Sequence, residues 1–428
     1  MKEINVIGAG LAGVEAANYL ANRGFKVNLY EQRPVKNTLA HHTDLFGELV
    51  CSNSLKSNKI DNACGLLKEE MRHMGSLTME SASINSVPSG NALSVDRTLF
   101  AQYITNKIKS NQNINVIYGE VTKIPTGITI VATGPLTSEG LLNELTSITG
   151  EKTFSFFDAS APIVEKDSID FNKAYYKSRY EQGDDSYINC AMNKEEYERF
   201  YNELITAELA NIHDFDTIYF EGCMPVEAIA KRGEKTLRYG PLKPMGLGKT
   251  KDDRPYAVVQ LRQDDVSASL YNIVGFQTNL TYSEQKRVFG LIPGLENARF
   301  VRYGLMHRNT FICAPLCLNK NLSLKNNENV FIAGQLSGVE GYVESAATGL
   351  LAAIYAEKKA NGIEKETELI PVDTMLGCLI NYITMCSPKN FSPMNSNFGI
   401  MYNVSKDKEE VAHKAIESLD RWWKKING

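Results

Sequence analysis

The sequence predicts an α/β protein with a Rossmann-like dinucleotide-binding domain and a smaller α/β domain inserted into it. Three observations predict this. A buried-strand run, Ile4-Asn5-Val6-Ile7, feeds Gly8-Ala9-Gly10-Leu11-Ala12-Gly13 and then a helical pattern. A second buried strand with a small-residue turn comes late, at Val330-Phe331-Ile332-Ala333-Gly334-Gln335. Between the two, the alternating strand–helix pattern gives way to short β-like runs and turns over residues 166–324.

Each element follows from its residues. Gly8 permits the tight turn, Gly10 lets the backbone approach a pyrophosphate, and Gly13 lets helix and strand pack closely. The helix over 11–22 then offers free N–H groups and a positive dipole end. Gly24 follows it, and a strand over 26–30 ends at Glu31, about 20 residues after the first glycine, where an acid meets a ribose hydroxyl. Arg33 sits just beyond. The polar stretch 41–62 is too hydrophilic for a core element and reads as an ordered functional loop or a mobile segment. Helices are predicted over 65–73 and over 98–109, the second N-capped by Asp96. Strands follow over 114–117 and 129–132, the latter running into Thr133-Gly134-Pro135, a turn that passes a bound nucleotide. The insert contains β-like runs over 257–261 and 271–276 and a helix over 195–209. The late strand leads through 336–342, with Gly341 and Tyr342, into a small-residue helix over 344–355. A return segment of this kind, with no second Gly-x-Gly-x-x-Gly, fits FAD better than NAD. The predicted division is 1–165 and 325–428 for the cofactor domain and 166–324 for the insert.

Composition narrows the class. The 428 residues suffice for two domains. Lys plus Arg number 46 against 50 Asp plus Glu, a net charge of −4, so diffuse attraction to nucleic acid is not expected, although a local basic patch is compatible. The eight cysteines are scattered, without zinc spacing, which argues against a metal site and a disulfide framework. The N-terminus enters a strand directly and no apolar run is long enough for a bilayer, so a cytoplasmic protein with reduced thiols and no membrane partner is expected. The C-terminal helix over 406–425 ends Arg421-Trp422-Trp423-Lys424-Lys425. Such residues can stack on RNA, but burial of the tryptophans on the body is favoured.

Two cysteines have unusual settings. Cys51 lies in Leu49-Val50-Cys51-Ser52-Asn53-Ser54, among hydrogen-bond donors. Cys223 lies in Glu221-Gly222-Cys223-Met224-Pro225, where Gly222 and Pro225 force irregular backbone. Thiols near donors or cations become reactive thiolates, although most free cysteines are small buried hydrophobes. Lys231, Arg232, Lys235 and Arg238 form either a phosphate-binding surface or an ordinary solvated face. His307 is a polar-ring ligand or a structural residue. A proton-transfer role stays open among Glu221, Glu227 and Glu344.

Longer strings carry a resemblance. His41-His42-Thr43-Asp44, Leu49-Val50-Cys51-Ser52-Asn53-Ser54-Leu55, Gly65-Leu66-Leu67-Lys68-Glu69-Glu70-Met71, Glu221-Gly222-Cys223-Met224-Pro225-Val226-Glu227, Arg254-Pro255-Tyr256-Ala257-Val258-Val259-Gln260-Leu261-Arg262 and Gly338-Val339-Glu340-Gly341-Tyr342-Val343-Glu344-Ser345 resemble the folate- and FAD-dependent RNA (uracil-C5) methyltransferases over nearly the whole chain. The resemblance implies a glutathione-reductase-like cofactor domain. It implies that Cys223 adds to uracil C6 and that Cys51 is a second active-site thiol. It implies 5,10-methylenetetrahydrofolate as one-carbon donor, FAD as carrier and reductant, and NAD(P)H as the source of electrons. His307 and Tyr342 are the residues it places nearest folate. The RNA substrate is a tRNA (at the T-loop) or 23S ribosomal RNA. A plain FAD oxidoreductase of a small metabolite and a non-catalytic flavin-binding partner are the readings of another class.

Overall fold

In the computed structural model, residues 2–38, 40–151, 154–179, 186–210, 224–250, 252–363, 368–402 and 405–427 are described. The cofactor domain is built on a six-stranded sheet. In spatial order its strands are Ser323–Leu324, Asn327–Ile332, Thr129–Val131, Glu3–Ile7, Lys26–Glu31 and Ile114–Tyr118. All neighbours are parallel except the first pair. Ile7 sits in register with Tyr30 on one side and Val131 on the other, and Val131 with Ile332. The loops leaving Ile7, Val131 and Ile332 therefore emerge together at one edge. The chain steps from the Glu3–Ile7 strand outward in one direction and later returns on its other side, so this strand is the topological switch point where α/β sheets bind nucleotides.

The helix Leu11–Asn22 matches its predicted bounds. It packs against the return helix Tyr342–Ala360, which starts earlier and ends later than its pattern suggested. Contact is close enough that a Cβ on Gly349 would lie 2.1 Å from the Ala12 carbonyl oxygen. Asp96 caps Arg97–Ser110 by accepting from the Leu99 amide at 2.9 Å, as expected.

A second sheet is antiparallel throughout. Its strands run Ala174–Tyr176, Tyr187–Met192, Ala257–Gln263, Leu270–Ile273, Ile163–Glu165 and Phe300–Arg302. The run predicted over 271–276 stops at Ile273 because Gly275, at φ +77°, turns the chain. The helix predicted over 195–209 is Lys194–Thr206, with Asn193 and Glu196 forming a capping box. Phe154–Ala159 pairs with Met306–Phe311 in a two-stranded ribbon. The two larger sheets have separate apolar cores. The C-terminal helix Lys408–Asn427 buries Trp422, whose indole N–H donates to the Glu368 carbonyl at 2.9 Å, and Trp423 packs on Tyr19. The packing reading of these tryptophans is therefore the correct one. Among the described residues no helix is long and apolar enough to cross a membrane.

Buried carboxylates cap helices across the cofactor domain. Glu15 accepts from the Leu77 and Thr78 amides at the start of Leu77–Ile84. Glu70 accepts from the Met375 and Leu376 amides, at 2.6 and 2.9 Å, at the start of Met375–Met385. Burial pushes the Glu70 carboxyl from 4.5 up to about 7, against the opposing pull of those amides. The folded chain thus holds this proton more tightly than the unfolded one. The group's contribution to stability is complete below pH 4.5 and is lost as pH rises through 7. Glu70→Gln is expected to flatten the decline in Tm between pH 5 and pH 8, by ~2–4 °C. Thermal scans of both proteins across that range would show it, and an unaltered slope would remove Glu70 as its source.

Candidate functional site

The dinucleotide crevice forms where the three strand ends converge. Gly8 sits at φ +98°, and a Cβ there would lie 2.6 Å from the Ala132 carbonyl oxygen. Its amide donates to the Tyr30 carbonyl at 2.7 Å. A Cβ on Gly13 would lie 1.7 Å from the Gly8 carbonyl oxygen. A Cβ on Gly10 would meet no protein atom within 4 Å. So Gly8 and Gly13 are required by the protein's own packing, whereas the space beside Gly10 is left open. That is the cradle a pyrophosphate needs at the N-terminus of Leu11–Asn22.

Glu31 lines this crevice with Gly8, Gly10, Arg33, Thr38 and Thr133. Its carboxylate accepts from the Ala9 amide at 2.9 Å and from the Arg33 amide and Nε at 3.0 Å. Burial opposes its charge, but Arg33 and the Ala9 amide together outweigh burial and hold the carboxyl below its usual range. Arg33 is itself buried and reaches the Thr43 carbonyl and Glu48. Thr133 and Thr137 form the opposite wall, their hydroxyls 2.7 Å apart, and Gly134 turns the chain between them at φ +68°. Gly334, at φ +74°, donates its amide to the Thr348 hydroxyl. The crevice lined by Gly8, Gly10, Glu31, Arg33 and Thr133 fits the pyrophosphate, ribose and adenine end of FAD, and Gly334 lies outside its lining.

A second cavity lies beyond the return segment. It is lined by Val50, Cys51, Ser52, Lys56, Arg262, Gln277, Asn309, Gln335, Gly341, Tyr342 and Glu344, among others. The Tyr342 hydroxyl oxygen accepts from the amides of Cys51 and Ser52, at 2.6 and 3.1 Å. Burial, and then the neighbouring Cys51, push this phenol well above its usual range. Cys51 is half-buried, with Sγ 3.5 Å from the Ala159 carbonyl oxygen. The stretch 41–62 is accordingly an ordered loop around the thiol, which continues into an antiparallel ribbon, Ser54–Ser57 against Ala92–Val95. Gly341, at φ +129°, begins the return helix, and a Cβ there would strike the Glu344 carboxylate.

Three arginines hold the Cys51 loop, and sequence reasoning missed all of them in this role. Arg97 Nη1 donates to the Leu49 carbonyl at 2.7 Å and reaches the Cys51 carbonyl at 3.4 Å, while its Nη2 pairs with Asp264 at 2.9 Å. Arg302 donates to the Val50 and Ala40 carbonyls. Arg262 donates to Asn53 at 3.0 Å and to the Ser52 hydroxyl at 2.7 Å. Burial lowers the affinity of Arg262 and Arg302 for their protons. Burial opposes the Arg97 charge as well, but Asp264 more than offsets it.

The remaining candidates are placed as follows. Cys223 and Glu221 lie outside the described residues. Just after them, the Val226 amide donates to the Gln277 carbonyl at 2.7 Å, and Gln277 lines the Cys51 cavity. Glu227 is buried, accepts from Thr278 and the Asn279 amide, and has its carboxyl raised by burial. Glu344 accepts from the Ser396 amide and hydroxyl. Both acids brace backbone. Lys231 ends the short helix Val226–Lys231 and Arg232 caps it, both exposed. Arg238 stacks on Tyr256 at 3.5 Å and donates from Nε to its carbonyl. His307 pairs by backbone with Asp158 in the two-stranded ribbon. Among the described residues no group of His, Cys, Asp and Glu could hold a metal ion.

An α/β fold with a dinucleotide crevice at its switch point, joined by a return helix to a thiol-bearing cavity, defines a flavoprotein-type enzyme fold. The Glucose inhibited division protein A family matches residues 3–364. The Aquifex aeolicus GidA structure in the form I crystal superposes with a TM-score of 0.73 at 18% identity, covering 99% of this chain and 76% of that one. That likeness shows the fold. The chain is 56% identical over 425 residues to the methylenetetrahydrofolate--tRNA-(uracil-5-)-methyltransferase TrmFO of Bacillus pumilus, covering 97% of this chain and 98% of the relative. It is 54% identical to the proteins of that name from Listeria monocytogenes, covering 98% of each chain, and Ligilactobacillus salivarius, covering 97% and 95%. The chain belongs to the Glucose inhibited division protein A family and, within it, to the methylenetetrahydrofolate--tRNA-(uracil-5-)-methyltransferases.

Proposed function

We propose that this protein is a methylenetetrahydrofolate- and FAD-dependent RNA methyltransferase that forms 5-methyluridine in the T-loop of tRNA. One observation carries the reading beyond family membership. The return segment 334–342 starts beside the glycine motif, where Gly334 approaches Ala12, and ends in the wall of the Cys51 cavity, so a cofactor lying along it would bring its redox end to a thiol. Gly8, Ala9, Gly10, Leu11, Ala12, Gly13, Glu31, Arg33, Thr133 and Gly134 would hold the nucleotide of FAD. Gly334, Gln335, Gly341 and Tyr342 would hold its other end. When bound, FAD supplies the reducing equivalents and the carrier for the one-carbon unit, with NAD(P)H renewing the electrons.

The protein's own residues do the rest. Cys223 adds as thiolate to C6 of the uracil, which makes C5 nucleophilic, and leaves again once C5 has gained its carbon and lost its proton. Cys51 stands as the second thiol of the site. His307 contributes to the folate subsite, and Lys231 and Arg232 contact RNA phosphates. The cofactor domain takes most of 1–165 and 325–428 together with the strand Ser323–Leu324, and the second sheet, which includes Ile163–Glu165, presents folate and RNA.

The test maps modified uridines by mass spectrometry in tRNA and ribosomal RNA from a deletion strain, alongside assays of purified protein. Loss of 5-methyluridine from the T-loop, and in vitro transfer that needs methylenetetrahydrofolate and NAD(P)H, are the expected results. Loss at a 23S site would redirect the proposal to ribosomal RNA. Transfer requiring S-adenosylmethionine would sink it, and NAD(P)H oxidation without any RNA product would favour a small-molecule oxidoreductase.

A further inference from the structure

We propose that Arg97 and Arg302 activate Cys51: they clamp the loop that carries the thiol, and their paired guanidinium charges favour its thiolate. The inference rests on the placing of Cys51 in the active site, and it is tested by chemistry that does not require methyl transfer.

The clamp is specific. Successive carbonyls, Leu49, Val50 and Cys51, are each taken by a guanidinium N–H, from Arg97 or Arg302. The amides of Cys51 and Ser52 point the other way, to the Tyr342 oxygen. With carbonyls and amides both fixed, the Cα–Cβ bond of Cys51 has one direction available, and Cys51 lines the cavity. The two arginines enter from unrelated parts of the chain, one at the start of Arg97–Ser110 and the other at the end of the strand Phe300–Arg302.

The charge balance around the sulfur favours an anion. On the cationic side stand Arg97, Arg302, Arg262 and Lys56. On the anionic side, Asp264 is bound to Arg97, Glu48 is bound to Arg33, and Glu344 is engaged by Ser396. Glu340 accepts from Gln335. Burial, and then Arg302, lower the affinity of His42 for a proton. Among the described residues the hydrogen bonds of Arg302 run to backbone carbonyls, and Glu48, which also acts on its charge, is shared with Arg33. A thiol beside such charges is an acidic one. On ionisation it gives up its contact with the Ala159 carbonyl at 3.5 Å, and the proton passes to solvent water. Cys64, Cys190, Cys313, Cys317 and Cys378 are buried, and burial pushes Cys190 and Cys378 up to about 12. Cys51 is set apart from them by location and by charge.

The experiment measures the pH dependence of iodoacetamide alkylation at Cys51 in the full-length protein, quantified by peptide mass spectrometry, with Cys51→Ser as the blank. In the parent protein the midpoint is expected at least about one pH unit below the ordinary thiol value near 8.5. Arg302→Met is expected to raise it by about one unit, which lowers the alkylation rate near pH 7 by up to tenfold, and Arg302→Lys to restore much of the shift. Arg97→Lys offers a second, charge-preserving probe of the clamp. A parent midpoint at or above 8.5 would overturn the proposal even if no variant folded, as would an Arg302→Met midpoint equal to the parent's. Cys51→Ser protein that methylates RNA at the parent rate would instead remove Cys51 from the reaction while leaving its acidity as measured.

Discussion

Gly10→Val is expected to fold and to emerge colourless, whereas Gly13→Ala is expected to lose the native fold. The motif gives these glycines different tasks, and the structure supplies the distances behind each. The space next to Gly10 contains no protein atom within 4 Å, so a valine there displaces only the cofactor's pyrophosphate. A methyl on Gly13 would overlap the Gly8 carbonyl at 1.7 Å, in the first turn of a helix whose neighbours are buried. Relief would require parting the helix from the Glu3–Ile7 strand, at a cost of more than ~4 kcal/mol. Flavin absorbance per mole of protein, read beside circular dichroism and thermal melting, distinguishes the cases. Normal flavin content in Gly10→Val would refute the pocket assignment. Native melting of Gly13→Ala would refute the packing argument.

The second large effect is at Cys223. Cys223→Ala is expected to reduce methyl transfer by at least about a thousandfold, since uracil C5 has no other route to nucleophilicity when no thiolate adds at C6. Flavin content and its reduction by NAD(P)H should be retained, because the described lining of the dinucleotide crevice comes from the segment Ile7 to Leu141. A Cys223→Ala enzyme with full transfer activity would take the nucleophile role away from this residue. Comparison with Cys51→Ser separates the two thiols: the nucleophile's loss stops the first bond to RNA, so no covalent RNA–protein complex should accumulate with Cys223→Ala.

Much of the cofactor domain was legible from residues alone because its signals are local. Leu11–Asn22 needs only its periodicity and the glycines before it. Asp96 caps a helix through a bond to Leu99, three residues on. The late strand Asn327–Ile332 and the return helix announce themselves by an apolar run, a glycine turn and small residues. The insert was less legible. Its strands are short, its sheet is antiparallel across distant segments, and the turn at Gly275 cuts off what reads as a longer strand. The buried acids Glu15, Glu70, Glu227 and Glu344 look in sequence like ordinary helix charges. Only their partners, 51 to 306 positions away, show that they terminate other segments.

The sequence by itself determined the class of cofactor site and the pair of cysteines worth attention, since a glycine's freedom and a thiol's chemistry belong to the residue. Tertiary structure decided what those residues have for neighbours. It set Glu31 against Ala9 and Arg33, and stacked Arg238 on Tyr256. It closed Arg97, Arg302 and Tyr342 around a loop from which they are 46, 252 and 291 positions distant. Electrostatic fields and hydrogen bonds depend on separation in space, and no local pattern of residues records it.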